Sequence, residues 1–233
     1  MYLSKLALRA LPGAIFIILP AIAQIEIKAT DITRAVTGDA PSEVAARPTG
    51  PVPAWFLAGN NAPSYSIGLD SETKHGGANS AHIRCRDKSC GGFGTLMQTF
   101  RADEYRGSRI RLSAWVKSDR AGRANLWMRV DGFQRVTLDF DNMQNRPMSG
   151  TKDWRRQEVV LDVPPTAASI SYGLILSGAG QAWVDDITLN IVDRKVRHTG
   201  SFPKRDDGPP PSDAELSMMA RMPLRPQNLD FEK

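Results

Sequence analysis

The alternation in residues 109–117 constrains this chain more than any other feature. The even positions Ile110, Leu112, Ala114 and Val116 are apolar, and the odd positions are Arg109, Arg111, Ser113, Trp115 and Lys117. In a strand, successive side chains point to opposite faces, so period-two alternation describes a half-buried strand. Residues 125–131 repeat the pattern: Leu126, Met128 and Val130 on one face, Asn125, Trp127, Arg129 and Asp131 on the other. Further strands are expected at 64–70, 80–86, 93–101, 135–141, 155–163, 169–177 and 181–193. Gly76-Gly77, Arg106-Gly107, Asp131-Gly132, Pro164-Pro165 and Gly178-Ala179-Gly180 punctuate them. No helical period runs through the block. Many short strands at regular spacing predict an all-β fold, an antiparallel β-sandwich, over residues 53–194. The one helix expected lies in 212–222, with Ser212 or Asp213 as its N-cap.

The flanks read differently. Lys5 and Arg9 precede an apolar run from Ala10 to Ala21, and Ala21-Ile22-Ala23 is a small-x-small site. This predicts a signal peptide over 1–23 and export to the periplasm or medium. The run falls short of the roughly 20 apolar residues that span a bilayer, so no membrane span is expected. Residues 24–52 carry Pro41, Pro48 and Pro51 without a sustained period. Residues 195–226 carry Pro203, Pro209, Pro210 and Pro211. Both read as disordered linkers, the second with the short helix inside it. Residues 227–233 alternate Leu229 and Phe231 with Asp230 and Glu232, which predicts a C-terminal strand that docks on the sandwich. The formal charge is +5 for the whole chain. That suits acidic glycans or anionic surfaces, but the basic residues form no block and no nucleic-acid motif is present. Cys85 and Cys90 are the only cysteines. In an oxidising compartment they are expected to close a local disulfide, because two thiols without a histidine pair do not make a metal site.

Three groups of segments resemble known proteins. The runs 55–59, 65–70 and 80–83, the middle strand after Tyr105-Arg106-Gly107, and the closing Trp183-Val184-Asp185-Asp186-Ile187 are similar to galactose-binding-like jelly-roll sandwiches. Many carbohydrate-binding modules of bacterial glycan-processing proteins belong to these. Segments 126–132, 140–143 and 150–154 resemble more closely a group of secreted bacterial proteins without assigned activity, some of them fused to or described as regulators. Such modules open with an Asn-Leu-x-Phe-Glu strand before the Trp. Here that motif stands at Asn228–Glu232 instead, as in a circular permutation. The resemblance implies a jelly roll and a glycan or small polar ligand; fold alone does not fix function.

Candidate sites come from both readings. Trp115, Trp127, Arg129, Asp131 and Gln98 are expected to form a ligand-binding face if their strands share a sheet. The alternative is a second small core in which the Trp N–H groups find partners. Asp185 shares the alternation of Trp183, Ile187, Leu189 and Ile191, and a buried carboxylate must be neutralised, hydrogen-bonded or metal-bound. The resemblance implies a structural calcium held by Asp185, Asp186 and Glu232. Bonds from backbone N–H groups, or a bulge that turns Asp185 outward, are the alternatives. No cofactor is required. Asp139, Asp141 and Asp131 could in principle supply the two carboxylates of a glycoside hydrolase; Asp139 and Asp141 are about 7 Å apart on one strand, but any charged strand produces such a pair, and they read as a solvated face. No catalytic residue is assigned. The expected function is therefore an exported, non-catalytic glycan-binding module. A periplasmic structural or interaction domain with a protein partner is the alternative, and a glycan hydrolase ranks last.

Overall fold

The structure, a computed structural model, describes residues 51–200 and 209–233. The expected signal peptide and nearly all of the first linker lie outside these residues. Nine strands occupy the described chain: β1 (Phe56–Ala58), β2 (Tyr65–Asp70), β3 (Ser80–Cys85), β4 (Phe93–Arg101), β5 (Arg109–Asp131), β6 (Thr137–Asp141), β7 (Met148–Asp162), β8 (Ser169–Ser177) and β9 (Gln181–Val192). All pairs are antiparallel, and the fold is a jelly-roll β-sandwich.

The two alternating segments at 109–117 and 125–131 are one strand. Residues 109–119 of β5 lie between β9 and β7, and residues 123–131 lie beside β8 and β6. The strand therefore passes from one sheet to the other. The first sheet runs β7-β5-β9-β3-β2 and the second β6-β5-β8-β4-β1. The corner falls at Arg120, whose φ of 49° is left-handed, and the pairing with β7 slips three times between Val116 and Ala124. A reversal of φ ends the pleat locally and redirects the strand. Gly180 permits it, because a Cβ there would lie 2.3 Å from the Arg120 carbonyl oxygen.

The even residues of β5 face inward along both halves. Ile110, Leu112, Val116, Leu126, Met128 and Val130 are fully buried against Ile83, Leu96, Phe100, Ile170, Tyr172 and Leu174. Each large aliphatic group taken out of water contributes about 1.5–3 kcal/mol. Cys85 and Cys90 form a disulfide, with Cα atoms 5.9 Å apart. A short helix, α1 (Asp213–Met219), starts from Ser212, whose hydroxyl accepts from Glu215 N in a capping box.

The C-terminal segment packs on the sandwich but forms no strand, because Asn228 (φ 47°) and Phe231 (φ 58°) leave the extended region. It is held as a plug. Trp55 Nε1 donates to Asn228 O at 3.0 Å, Gln227 N donates to Gln98 Oε1 at 3.0 Å, and Ile187 N donates to Leu229 O at 3.1 Å. Phe231 is fully buried against Trp55. The described parts of 195–226 are also tied down rather than free. Thr199 N donates to Val160 O at 2.9 Å, and Arg225 pairs with Glu104 at 2.7 Å.

Candidate functional site

The corner in β5 separates the two tryptophans expected to share a face. Trp115 lies on the outer side of the first sheet, opposite Arg156 and Asp185. Trp127 lies on the outer side of the second, opposite Gly173. Trp115 is partly covered and Trp127 is closed off. His75, from the loop after β2, stacks on Trp115 at a centroid distance of 4.0 Å and 15° between planes, with Trp154 at its edge. Trp127 is fully buried among Phe93, Met97, Phe140 and Ile175, and its Nε1 donates to Thr95 Oγ1 at 2.8 Å. The second-small-core alternative is what Trp127 adopts.

The remaining members of that expected face are engaged as well. Gln98 points inward, accepts from Tyr172 Oη and Gln227 N, and donates to Gln227 O. It clamps the C-terminal segment and is not a ligand-facing group. Arg129 is buried and donates through Nε to Asp131 Oδ2 at 2.8 Å. Burial pushes the Asp131 carboxyl up, against the pull of the Arg129 charge. The five residues thus do not converge.

Asp185, Asp186 and Glu232 do meet one element, the loop at 75–79, but Asp185 and Glu232 accept from its amides and Asp186 pairs with the His75 ring. Asp186 has φ 48°, and the register of β9 slips there. This bulge moves Asp185 off the Ile187–Leu189 face and onto the outer side beside Trp115. Asp185 Oδ2 accepts from His75 N at 2.8 Å and Gly76 N at 3.0 Å, and its Oδ1 accepts from Asp186 N. Burial raises the Asp185 carboxyl, and these N–H bonds oppose the rise. Glu232 Oε1 accepts from Ala78 N and Asn79 N, and Asp186 Oδ2 pairs with His75 Nδ1 at 2.6 Å. Among the described residues no three His, Cys, Asp or Glu side chains gather as metal ligands. In this arrangement the carboxylates clasp the loop directly, with N–H groups where a cation would need oxygens, so the donor set does not fit a calcium ion.

Asp139 and Asp141 are buried and not on a solvated face. Asp139 accepts from Asp162 N at 2.9 Å and pairs with His198 Nε2 at 2.6 Å. Asp141 is gripped by the Arg146 guanidinium. Their lone pairs hold β6 to its neighbours, which leaves neither facing a cleft.

The outer side of the second sheet carries a small depression, of about 40 Å³, that sequence reasoning missed. Phe93 and Ile175 form its apolar part, next to Trp127. Asn60, Arg123, Asn125, Asn142, Gln144 and Ser177 supply its polar wall. Asn60 Oδ1 accepts from Phe93 N at 2.8 Å, and Asn142 Oδ1 accepts from Gln144 N at 3.2 Å. Each oxygen is used to fix its own loop, which leaves the NH2 groups as donors on offer. Asn125 Oδ1 is buried and has no hydrogen-bond partner among the described residues. The available signal was the density of side-chain amides in the turns at 60–61 and 142–145, together with Asn125 on the polar side of its strand.

No protein-family model matches the chain. It is 38% identical over 181 residues to an uncharacterized HTH-type transcriptional regulator, YbfP of Bacillus subtilis (strain 168), a match covering 77% of this chain and 56% of that protein. The chain thus spans little more than half the length of this relative. Among solved structures, the enzymatically active domain of tailspike protein 4 from bacteriophage CBA120 aligns with a TM-score of 0.49 at 13% identity, over 60% of this chain and 19% of that one. The CBM22-1 xylan-binding domain of Paenibacillus barcinonensis Xyn10C aligns at 0.47 and 11% identity, over 61% and 88%. TmCBM61 in complex with β-1,4-galactotriose aligns at 0.43 and 16%, over 62% and 92%. All three scores lie below 0.5, so the functional reading rests on the geometry of the site itself.

Proposed function

We propose that this chain is an exported, non-catalytic binding module for a carbohydrate, with the depression on the second sheet as its site. The observation that carries the reading is one depression that joins the apolar surface of Phe93 and Ile175 to the side-chain amides of Asn60, Asn125, Asn142 and Gln144. A sugar hydroxyl both donates and accepts. It would take bonds from Asn60 and Asn142 NH2, while a ring C–H face rests on Ile175 and Phe93. At about 40 Å³ the depression is too small to engulf a whole ligand and suits one edge of a sugar resting over it. The residues lining the depression include no carboxylate, which supports binding without the acid–base pair that glycoside hydrolysis needs. The Cys85–Cys90 disulfide supports export. Similarity to part of a regulator fits the same module used to sense its ligand.

The test is thermal unfolding and calorimetric titration of the purified protein against soluble glycans. A ligand at a hundredfold excess over its Kd is expected to stabilise the fold by about 2.7 kcal/mol. Asn125→Ala should abolish that shift, and Trp115→Ala should leave it in place. A panel without any shift, or a shift indifferent to Asn125, sinks the assignment.

A further inference from the structure

The disulfide closes the loop between β3 and β4, and the far end of that loop is a wall of the amide-lined depression. Cys85 is the last residue of β3, and Phe93 is the first of β4. Gly92 and Phe93 line the depression, and Asn60 stands against them. Phe93 N donates to Asn60 Oδ1 at 2.8 Å, Asn61 Nδ2 donates to Gly91 O at 2.8 Å, and Asn61 N donates to Phe93 O at 3.2 Å. Gly92 has φ 64°, and a Cβ there would lie 2.3 Å from Asn60 Oδ1. Only a glycine fits so close an approach, and the approach fixes where the Asn60 amide points.

Between Cys85 and this wall the bond itself does most of the holding. Arg86 N donates to Ser64 O at 2.9 Å. Among the described residues no backbone-to-backbone hydrogen bond reaches residues 87–90. Without the bond those residues gain backbone freedom, and Cys90 no longer draws Gly91 and Gly92 against residues 60–61. The core does not depend on it in the same way, because β3 and β4 are paired along their lengths with β9 and β8. The bond is also within reach of a reagent. Cys90 is buried, but Cys85 is only half-buried and lines an open depression of about 290 Å³. Arg84, Arg86 and Lys88 outnumber Asp87 around it, which favours the approach of a thiolate.

We propose that the Cys85–Cys90 bond is a redox switch for the depression: closed, it holds the Gly91–Phe93 wall in place for the ligand; opened by a dithiol, it releases that wall and the affinity falls. This rests on the carbohydrate reading of the depression and adds its regulation. The step is a thiol–disulfide exchange. A thiolate of the dithiol attacks Cys85 Sγ, the bond between the two Sγ atoms breaks, and its electron pair leaves on Cys90 Sγ, which takes up a proton. The second thiol of the reagent then displaces Cys85 in the same way. Two electrons and two protons pass to the protein, and the dithiol becomes a disulfide.

The experiment compares the oxidised protein, the same protein reduced with dithiothreitol and then reoxidised, and Cys85→Ser/Cys90→Ser. Calorimetry with soluble xylan, starch and dextran reads affinity, and amide hydrogen exchange followed by NMR reads the wall without any ligand. On reduction the amides of Phe93 and Asn61 should exchange at least about tenfold faster, while those of Leu96 and Leu174 in the middle of β4 and β8 keep their rates. Affinity for a bound glycan should fall by about tenfold, the equivalent of one neutral hydrogen bond. Reoxidation should restore both, and the double serine variant should match the reduced form. Unchanged exchange at Phe93 with unchanged affinity overturns the inference and leaves the carbohydrate reading standing. Exchange raised equally at Leu96 and Leu174 means that the bond only stabilises the whole fold, and also overturns it. So does a bond that dithiothreitol opens only once the protein unfolds. If the oxidised protein binds no glycan while Phe93 still responds selectively, the carbohydrate reading falls and the redox control of the wall stands.

Discussion

Phe231 offers the clearest test of the architecture, because it is the third residue from the end of the chain and yet is fully buried. Its ring meets Trp55 at 5.3 Å, and Trp55 in turn meets Tyr172 edge-on at 5.4 Å. Phe231→Ala removes most of a side chain from this cluster and leaves a cavity. For a buried phenylalanine the loss is about 3–5 kcal/mol, and aromatic pairing contributes about 0.5–1.5 kcal/mol beyond area. For a protein of this size each kcal/mol moves the midpoint by about 2–4 °C, so a fall of about 6–20 °C is expected. Urea unfolding should give the same loss with an unchanged m-value. Leu224→Ala, half-exposed on the approach to the same segment, serves as the control and should stay within about 0.5 kcal/mol. A Phe231→Ala change below about 1 kcal/mol would refute the claim that the C-terminal segment is part of the core.

Two further outcomes are expected. The Asp70 carboxyl is opposed by burial but held below its ordinary value by bonds from Thr73 N, Trp183 Nε1 and Glu72 N. A depressed folded-state value stabilises above the unfolded value of about 3.8, and that stabilisation is lost as pH falls through the folded value. Asp70→Asn should therefore destabilise at pH 7, and its deficit against the wild type should shrink as urea midpoints are followed down to pH 3; a deficit that grows on acidification contradicts the sign. Because Asp185, Asp186 and Glu232 are spent on the loop at 75–79, calcium and EGTA should leave the thermal midpoint in the same place. A rise with calcium that Asp185→Asn removes would mean the three carboxylates converge on an ion instead.

Much of the fold is legible in the residues themselves. Period two in 109–117 and 125–131 places the inward and outward side chains of β5 on either side of its corner, because alternation is a local property of an extended backbone. Strand β4 (Phe93–Arg101) and strand β8 (Ser169–Ser177) fall where the pattern and its glycine and proline punctuation put them. The Ser212 cap and the Cys85–Cys90 bridge are likewise set by neighbours close in sequence. Alternation reports only that a residue faces away from the core. It does not report which sheet carries it or what lies over it. The left-handed turn at Arg120, with no glycine to announce it, sends Trp115 and Trp127 to opposite sides of the sandwich. The bulge at Asp186 moves Asp185 to the outer side, where a loop more than a hundred residues earlier in the chain supplies its hydrogen-bond donors. The amide-lined depression needs five stretches of chain, around residues 60, 92–93, 123–125, 142–144 and 175–177, brought together by the fold. Strand periodicity is written residue by residue; the site depends on long-range contacts, and those were decided by the tertiary structure alone.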